Sequence, residues 1–161
     1  MNKLSKTIIA LTALFVIGFL ALQGCNKQKA QSPKVSDFFV SECNDMLLDN
    51  LRDNGYPYND TIYVSAIDDS KLKISTTNTP FYCGTDTIWH EINAQGQNIS
   101  IALLYEDPWS DCLCGHHVDI TLDDLTLGQT YTINLKKGDY DYFQFKVAFG
   151  PDTDLMFIRR M

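Results

Sequence analysis

Basic residues are in short supply. The chain of 161 residues carries 13 Lys and Arg against 20 Asp and Glu, a formal net charge of −7. No stretch alternates cations with aromatics, and a chain this acidic is repelled by phosphate backbones, which argues against nucleic acid as a partner. Long apolar runs are scarce too. The one near the N-terminus, from Ile8 to Leu22, has 15 residues. A spanning helix needs about 20, whereas the apolar core of a secretion signal needs roughly 7 to 15. There is no internal repeat and no low-complexity tract. Hydrolase signatures are missing as well: His90 stands alone beside Glu91, without a Gly-x-Ser-x-Gly elbow or a His-Glu-x-x-His helix. Asp139, Asp141, Asp152 and Asp154 lack EF-hand spacing and read as polar turns. These absences point to a protein that is not an enzyme and uses no cofactor.

What is present begins with that apolar run. Lys3 and Lys6 precede it, and it ends in Leu22-Gln23-Gly24-Cys25. The tetrapeptide resembles the lipobox of bacterial lipoproteins, with Gln23 where that family usually has Ala or Ser. The resemblance implies cleavage before Cys25, so that 1–24 is a signal peptide, and lipidation of Cys25 by a diacylglyceryl group and often a third acyl chain. One acyl chain binds a membrane marginally and two or more bind it stably, so the membrane becomes a partner through the anchor. Asn26, rather than an aspartate, follows the cysteine, which by the same resemblance points to the outer membrane of a Gram-negative cell. Which face it occupies is left open. Loss of Lys3 and Lys6 with the signal leaves 11 basic residues against 20 acidic, net −9. The carboxylates are scattered from Asp37 to Asp154 and read as solubilising.

About 125 residues remain for an ordered core, enough for one domain. Aromatic content of 12% and hydrophobic content of 45% argue against disorder. Residues 25–35 are polar and basic, contain Pro33, and read as a tether. A short amphipathic helix is expected within 36–55, with Ser36 as N-cap and Asp37 in the first turn. Phe39, Cys43, Leu47 and Leu51 then recur every four residues until Asn54-Gly55 and Pro57 stop it.

From residue 60 the period becomes two. Strands are expected over 61–66, 72–76, 87–92, 98–105, 117–122, 130–135, 142–149 and 155–159, separated by turn signals such as Lys137-Gly138-Asp139. Strands this short and evenly spaced predict a mainly β fold, an antiparallel β-sandwich over 60–161. The stretch from Val118 to Leu135 resembles the E to F corner of fibronectin type III and immunoglobulin-like domains. Leu125 would plug that corner, Gly128 would turn it, and the hydroxyl of Tyr131 would bond back to the backbone. With the preceding Cys112-Leu113-Cys114, the region from Leu72 to Leu135 is similar to a group of small Gram-negative (Bacteroidetes-type) envelope lipoproteins of undefined activity. That group has a cysteine pair upstream, where this chain has Cys83 alone and Cys43 is the natural replacement.

With Cys25 lipidated, Cys43, Cys83, Cys112 and Cys114 remain, an even number for an oxidising compartment. Residues two apart in a strand lie near the upper limit of disulfide reach, so Cys112 and Cys114 are expected to bond outward. One takes Cys83 and the other Cys43, with the assignment open. The alternative is a copper or zinc site, since Cys112, Cys114, His116 and His117 place two thiols and two imidazoles within six residues. If disulfides form, both histidines are expected to be incidental turn residues. Asp60-Thr61-Ile62 and Asp86-Thr87-Ile88 resemble acceptor tripeptides for O-glycosylation in some anaerobic Gram-negative bacteria. The expected role is a binding or interaction module for a protein or glycan.

Overall fold

A computed structural model of the chain describes residues 32–43, 59–106 and 112–160. Nine strands lie among them: β1 Lys34–Val40, β2 Asn59–Ala66, β3 Leu72–Tyr82, β4 Ile88–Gln95, β5 Asn98–Tyr105, β6 Leu113–Asp123, β7 Thr130–Lys137, β8 Tyr140–Ala148 and β9 Asp154–Arg160. Five form a sheet in the order β1-β6-β3-β2-β9 and four a second sheet, β4-β5-β7-β8. The inner faces meet in a core that draws on both: Ile62, Val64, Ile74, Val118 and Ile120 from the first, Ile99, Ile101, Ile133, Leu135 and Val147 from the second. Burying side chains of this size contributes about 1.5 to 3 kcal/mol each. The fold is therefore the expected mainly β sandwich, and the period-two segments supply it.

All pairings are antiparallel except one. β5 runs parallel to β7, with Ile99 opposite Ile133 and Ile101 opposite Leu135. This departs from the wholly antiparallel sheets expected from sequence, and from the ABED/CFG order of immunoglobulin domains. The alternation inside each strand marks which residues face the core but says nothing of strand direction.

The N-terminal part is the larger correction. Residues 37–40 are not the first turn of a helix but the second half of β1, which pairs with β6. The remainder of the expected helix, residues 44–55, lies outside the described residues, as do the signal, Cys25 and the start of the tether. The pairing shifts register between Val35 and Asp37, leaving Ser36 as an extra residue. This bulge spaces the half-buried apolar residues as Val35, Phe38 and Val40, which hides the period of two. Phe39, assigned to the buried stripe of a helix, is 53% exposed on the outer face. The sandwich thus begins at Lys34 rather than near residue 60, within a compact unit that starts at Ser32.

The corner between β6 and β7 has the expected construction. Leu125 and Tyr131 are buried, and the Tyr131 hydroxyl accepts a hydrogen bond from the Thr126 N–H at 2.8 Å. Gly128 turns the chain at φ 76°, where a side chain would be strained though not crowded.

Candidate functional site

The cysteines converge on one end of the first sheet. Cys43, three residues beyond β1, is joined to Cys114 on β6, and Cys83, just past β3, is joined to Cys112. The Cys83 N–H donates to the Cys112 carbonyl at 3.0 Å, so this pair continues the β3–β6 ladder past Tyr82 and Leu113. Both bridges grip β6, each to a different neighbour, and Cys112 and Cys114 bond outward as their spacing predicts.

The two histidines lie in β6, not in a turn, and being adjacent in a strand they face opposite ways. His116 points inward and is 5% exposed. Its Nδ1 lies 2.8 Å from the Ser41 carbonyl, an acceptor, so that nitrogen carries the proton. The ring packs edge-on against Phe81 at 5.5 Å. His117 points outward, with Nε2 at 2.9 Å from Asp119 Oδ1. The Cys-Leu-Cys-Gly-His-His segment therefore does not gather as a ligand set: its sulfurs are committed to disulfides and its imidazoles are on opposite faces. His90, on β4, packs at a tilt against Phe38 of β1, ring centres 4.6 Å apart.

On the outer face of the first sheet, Asp119 accepts from Ser75 Oγ at 2.5 Å and from Lys73 Nζ at 2.8 Å, beside the His117 contact. Partial burial alone would raise this carboxyl. The hydrogen bonds from Lys73 and Ser75 and the charges of His117 and Lys73 more than offset that and hold it below the ordinary carboxylate range. The trio is not wired for nucleophilic catalysis, which requires the serine to bond the histidine. Here both bond the same carboxylate oxygen.

Asp60, at the start of β2, is a fully buried carboxylate that sequence reading passed over as the head of a glycosylation tripeptide. Its Oδ1 accepts the N–H groups of Thr77 and Asn78 at 2.9 and 2.8 Å, and its Oδ2 accepts the Thr79 hydroxyl at 3.1 Å and the Tyr142 hydroxyl at 2.7 Å. Thr77 and Asn78 sit where the β3–β6 pairing shifts register between Thr76 and Thr79. The carboxylate thus takes up amides that a bulge removes from the ladder. Burial first, and then the Asp60 carboxylate, push the Tyr142 hydroxyl far above its ordinary range, so it donates at any physiological pH. Arg159 stacks over the Tyr142 ring at 4.1 Å. This is a structural clasp between the sheets rather than a reactive centre.

Asp139 and Asp141 lie at one end of β8, and Asp152 and Asp154 beyond the other. Among the described residues no group of three His, Cys, Asp or Glu is disposed to hold a metal ion.

Two concavities stand out among the described residues. A cleft of ≈ 580 Å³ lies between the end of β1 and the turn into β4, lined by Phe38, Ser41, Asp86 and His116 among others, with Cys43 and Cys114 in its wall. The second is a shallow groove of ≈ 260 Å³ on the solvent face of the second sheet. Its composition is distinctive. Across the four strands, Gln95, Asn98, Thr132 and Lys146 form one row, and Asn93, Ser100, Asn134 and Gln144 the next. All but Lys146 line the groove, and all of those are amides or hydroxyls. Asn134 Nδ2 donates to Asp141 at 2.7 Å, whereas its Oδ1 is buried and without a partner among the described residues. Trp89, 41% exposed, projects from the same face of β4, two residues beyond Glu91 and about 13 Å along the strand from Asn93. No single motif announces this face, because its members come from four strands.

Compared with known protein families, with curated proteins and with solved structures, the chain matches none.

Proposed function

We propose that this chain is a lipid-anchored protein of the Gram-negative outer membrane that acts as a non-catalytic binding module, and that its ligand is a neutral glycan laid across the outer face of β4, β5, β7 and β8. The observation that carries the binding role is the groove of adjoining amides and hydroxyls on the solvent face of the second sheet. A sugar offers hydroxyls that donate and accept at once, and Asn and Gln side chains match both functions where a charged group matches one. The groove's lining carries no charge and so gives little to an ionic partner, and it exposes no large apolar side chain, which gives little to a protein interface, whose centre is apolar and aromatic. Trp89, exposed on the same face, offers a flat ring for the apolar side of a further sugar unit. The anchor rests on the lipobox resemblance, and the two disulfides suit the oxidising compartment that an exported lipoprotein reaches.

Affinity electrophoresis through gels containing neutral soluble polysaccharides tests the ligand. The protein should be retarded by at least one of an α-glucan, a β-glucan, a mannan or a xylan, and Asn134→Ala and Trp89→Ala should each lose about tenfold in affinity, one bond or one stacking contact. No retardation by any of them, or variants indistinguishable from the parent, overturns the glycan reading. The anchor is tested apart: the parent should enter the detergent phase on extraction and Cys25→Ser should not, and an aqueous parent sinks that part alone.

A further inference from the structure

The four sheet edges are not alike. β1 carries the bulge at Ser36, and β8 has a register shift and the charges of Asp141 and Lys146. β4 presents Glu91 amid its amides. Such features keep an edge from pairing with foreign strands. β9 has no bulge: its seven residues pair with β2 without a shift and contain no proline, and its charges, Asp154, Arg159 and Arg160, stand at its two ends around an apolar run from Leu155 to Ile158. Its outer side bears large exposed apolar groups, Met156 at 59% and Ile158 at 51%, beside Tyr63 of β2 at 44%.

The direction of its unused backbone groups can be deduced. The Ala66 N–H donates to the Thr153 carbonyl at 2.8 Å, so the carbonyl of residue 153 turns toward β2. Because that direction alternates along a strand, Asp154, Met156, Ile158 and Arg160 turn theirs to the open edge. The same four project from the outer face, and they read acidic, apolar, apolar, basic.

We infer that β9 pairs with β9 of a second copy of this chain, antiparallel and centred on Phe157, joining two five-stranded sheets into one. In that register Met156 faces Ile158 of the other copy and Asp154 faces its Arg160. All four pairs fall at hydrogen-bonded positions, where the open amides and carbonyls already point. A parallel arrangement in register would set Asp154 against Asp154 and Arg160 against Arg160. An antiparallel shift of two residues would leave each charge opposite an apolar residue or beyond the partner strand. The charge pattern therefore selects one two-fold arrangement, as a closed dimer requires, and Met156, Ile158 and Tyr63 of both copies form one apolar strip over the junction.

Sedimentation equilibrium of the full chain in a density-matched neutral detergent, over about 1 to 100 µM, reads the association. A monomer–dimer equilibrium is expected. Asp154→Arg and Arg160→Asp should each weaken it about tenfold or more, the double variant should return to within about threefold of the parent, and Ile158→Lys should not be rescued by either. The charge swap separates strand pairing from two monomers that merely share a micelle, and circular dichroism melting confirms that each variant is folded. A parent that stays monomeric, a dimer indifferent to these substitutions, or a double variant as weak as the singles would each overturn the pairing.

Discussion

Three side chains bear constraints that their neighbours cannot take over. Tyr131 buries its ring and spends its hydroxyl on the Thr126 amide. Tyr131→Phe should therefore cost about 1 kcal/mol, the value of one hydrogen bond, and Tyr131→Ala about 3 to 5 kcal/mol, as for a lost aromatic. Equal urea midpoints for parent and both variants would contradict the corner. Asp60 is more demanding, because its carboxylate satisfies two backbone amides and three hydroxyls in a site that water does not reach. Asp60→Ala strands those donors and should cost about 3 to 5 kcal/mol. Asp60→Asn keeps an oxygen for the amides and can donate its NH2 to the hydroxyl oxygens, so it should cost markedly less in the same titration. Asp119 governs acid sensitivity. Its folded-state pKa lies below the ordinary value, so its contribution is present above the unfolded pKa of about 3.9 and is lost as pH falls through the folded value. The parent should melt above Asp119→Asn at pH 6, and the gap should close as the pH falls below about 4; a gap independent of pH would show that the carboxylate charge is not what matters.

At the scale of elements, the sequence is legible where side chains alternate and opaque where the backbone departs from regularity. Ile99, Ile101 and Leu103 announce β5 because nothing interrupts them, and the observed bounds, Asn98–Tyr105, match those expected. β3 is expected to stop at Thr76, yet it runs to Tyr82, because the bulge at Thr77 and Asn78 breaks the period and the signal that restores pairing, Asp60, is distant in sequence. β1 is lost for the same reason at Ser36 and is read as a helix because Phe39 and Cys43 fall four apart. The groove on the second sheet is the least legible feature, since Asn93, Ser100, Asn134 and Gln144 become a row only once β5 lies parallel to β7. The histidines show how an element assigns roles. Placed in β6, His116 faces the core and bonds Ser41 beside β1, whereas His117 meets solvent. His116→Ala should cost about 1 to 3 kcal/mol, whereas His117→Ala should stay within about 0.5 kcal/mol. Thermal melts in which the two variants are equally mild would place His116 in solvent.

For the molecule as a whole, the disulfides matter because of which strands they leave to other forces. Both bridges meet at the start of β6 at one end of the first sheet, so neither ties one sheet to the other; that work falls to the apolar core and to side-chain bonds across it, from Tyr142 to Asp60, from Arg159 to the Tyr142 carbonyl and from Lys137 to the Pro80 carbonyl. In the chain-entropy view a loop of 29 residues stabilises by about 3 to 4 kcal/mol and one of 71 by slightly more, about 4 to 4.5. Because the Cys83–Cys112 loop lies wholly inside the span from Cys43 to Cys114, the two contributions overlap and do not add. Removing either bridge should therefore cost roughly 2 to 5 kcal/mol, and removing both less than the sum. The two singles differ in what they release: Cys83→Ser frees Cys112 at the end of an intact ladder, whereas Cys43→Ser frees the buried Cys114 and detaches the segment that follows β1, whose hold on β6 then rests on the β1 ladder and Ser41. Proteolysis should accordingly begin near residues 34–43 in Cys43→Ser and not in Cys83→Ser. Unreduced peptide maps supply the direct check. The Cys43 peptide and the Cys83 peptide should both be recovered joined to the Cys112 and Cys114 segment, and partial reduction should release them one at a time. A bridge between Cys43 and Cys83, or four free thiols in protein taken from the envelope, would mean that β1 is not tied to β6 and that the cleft beside His116 has a different wall.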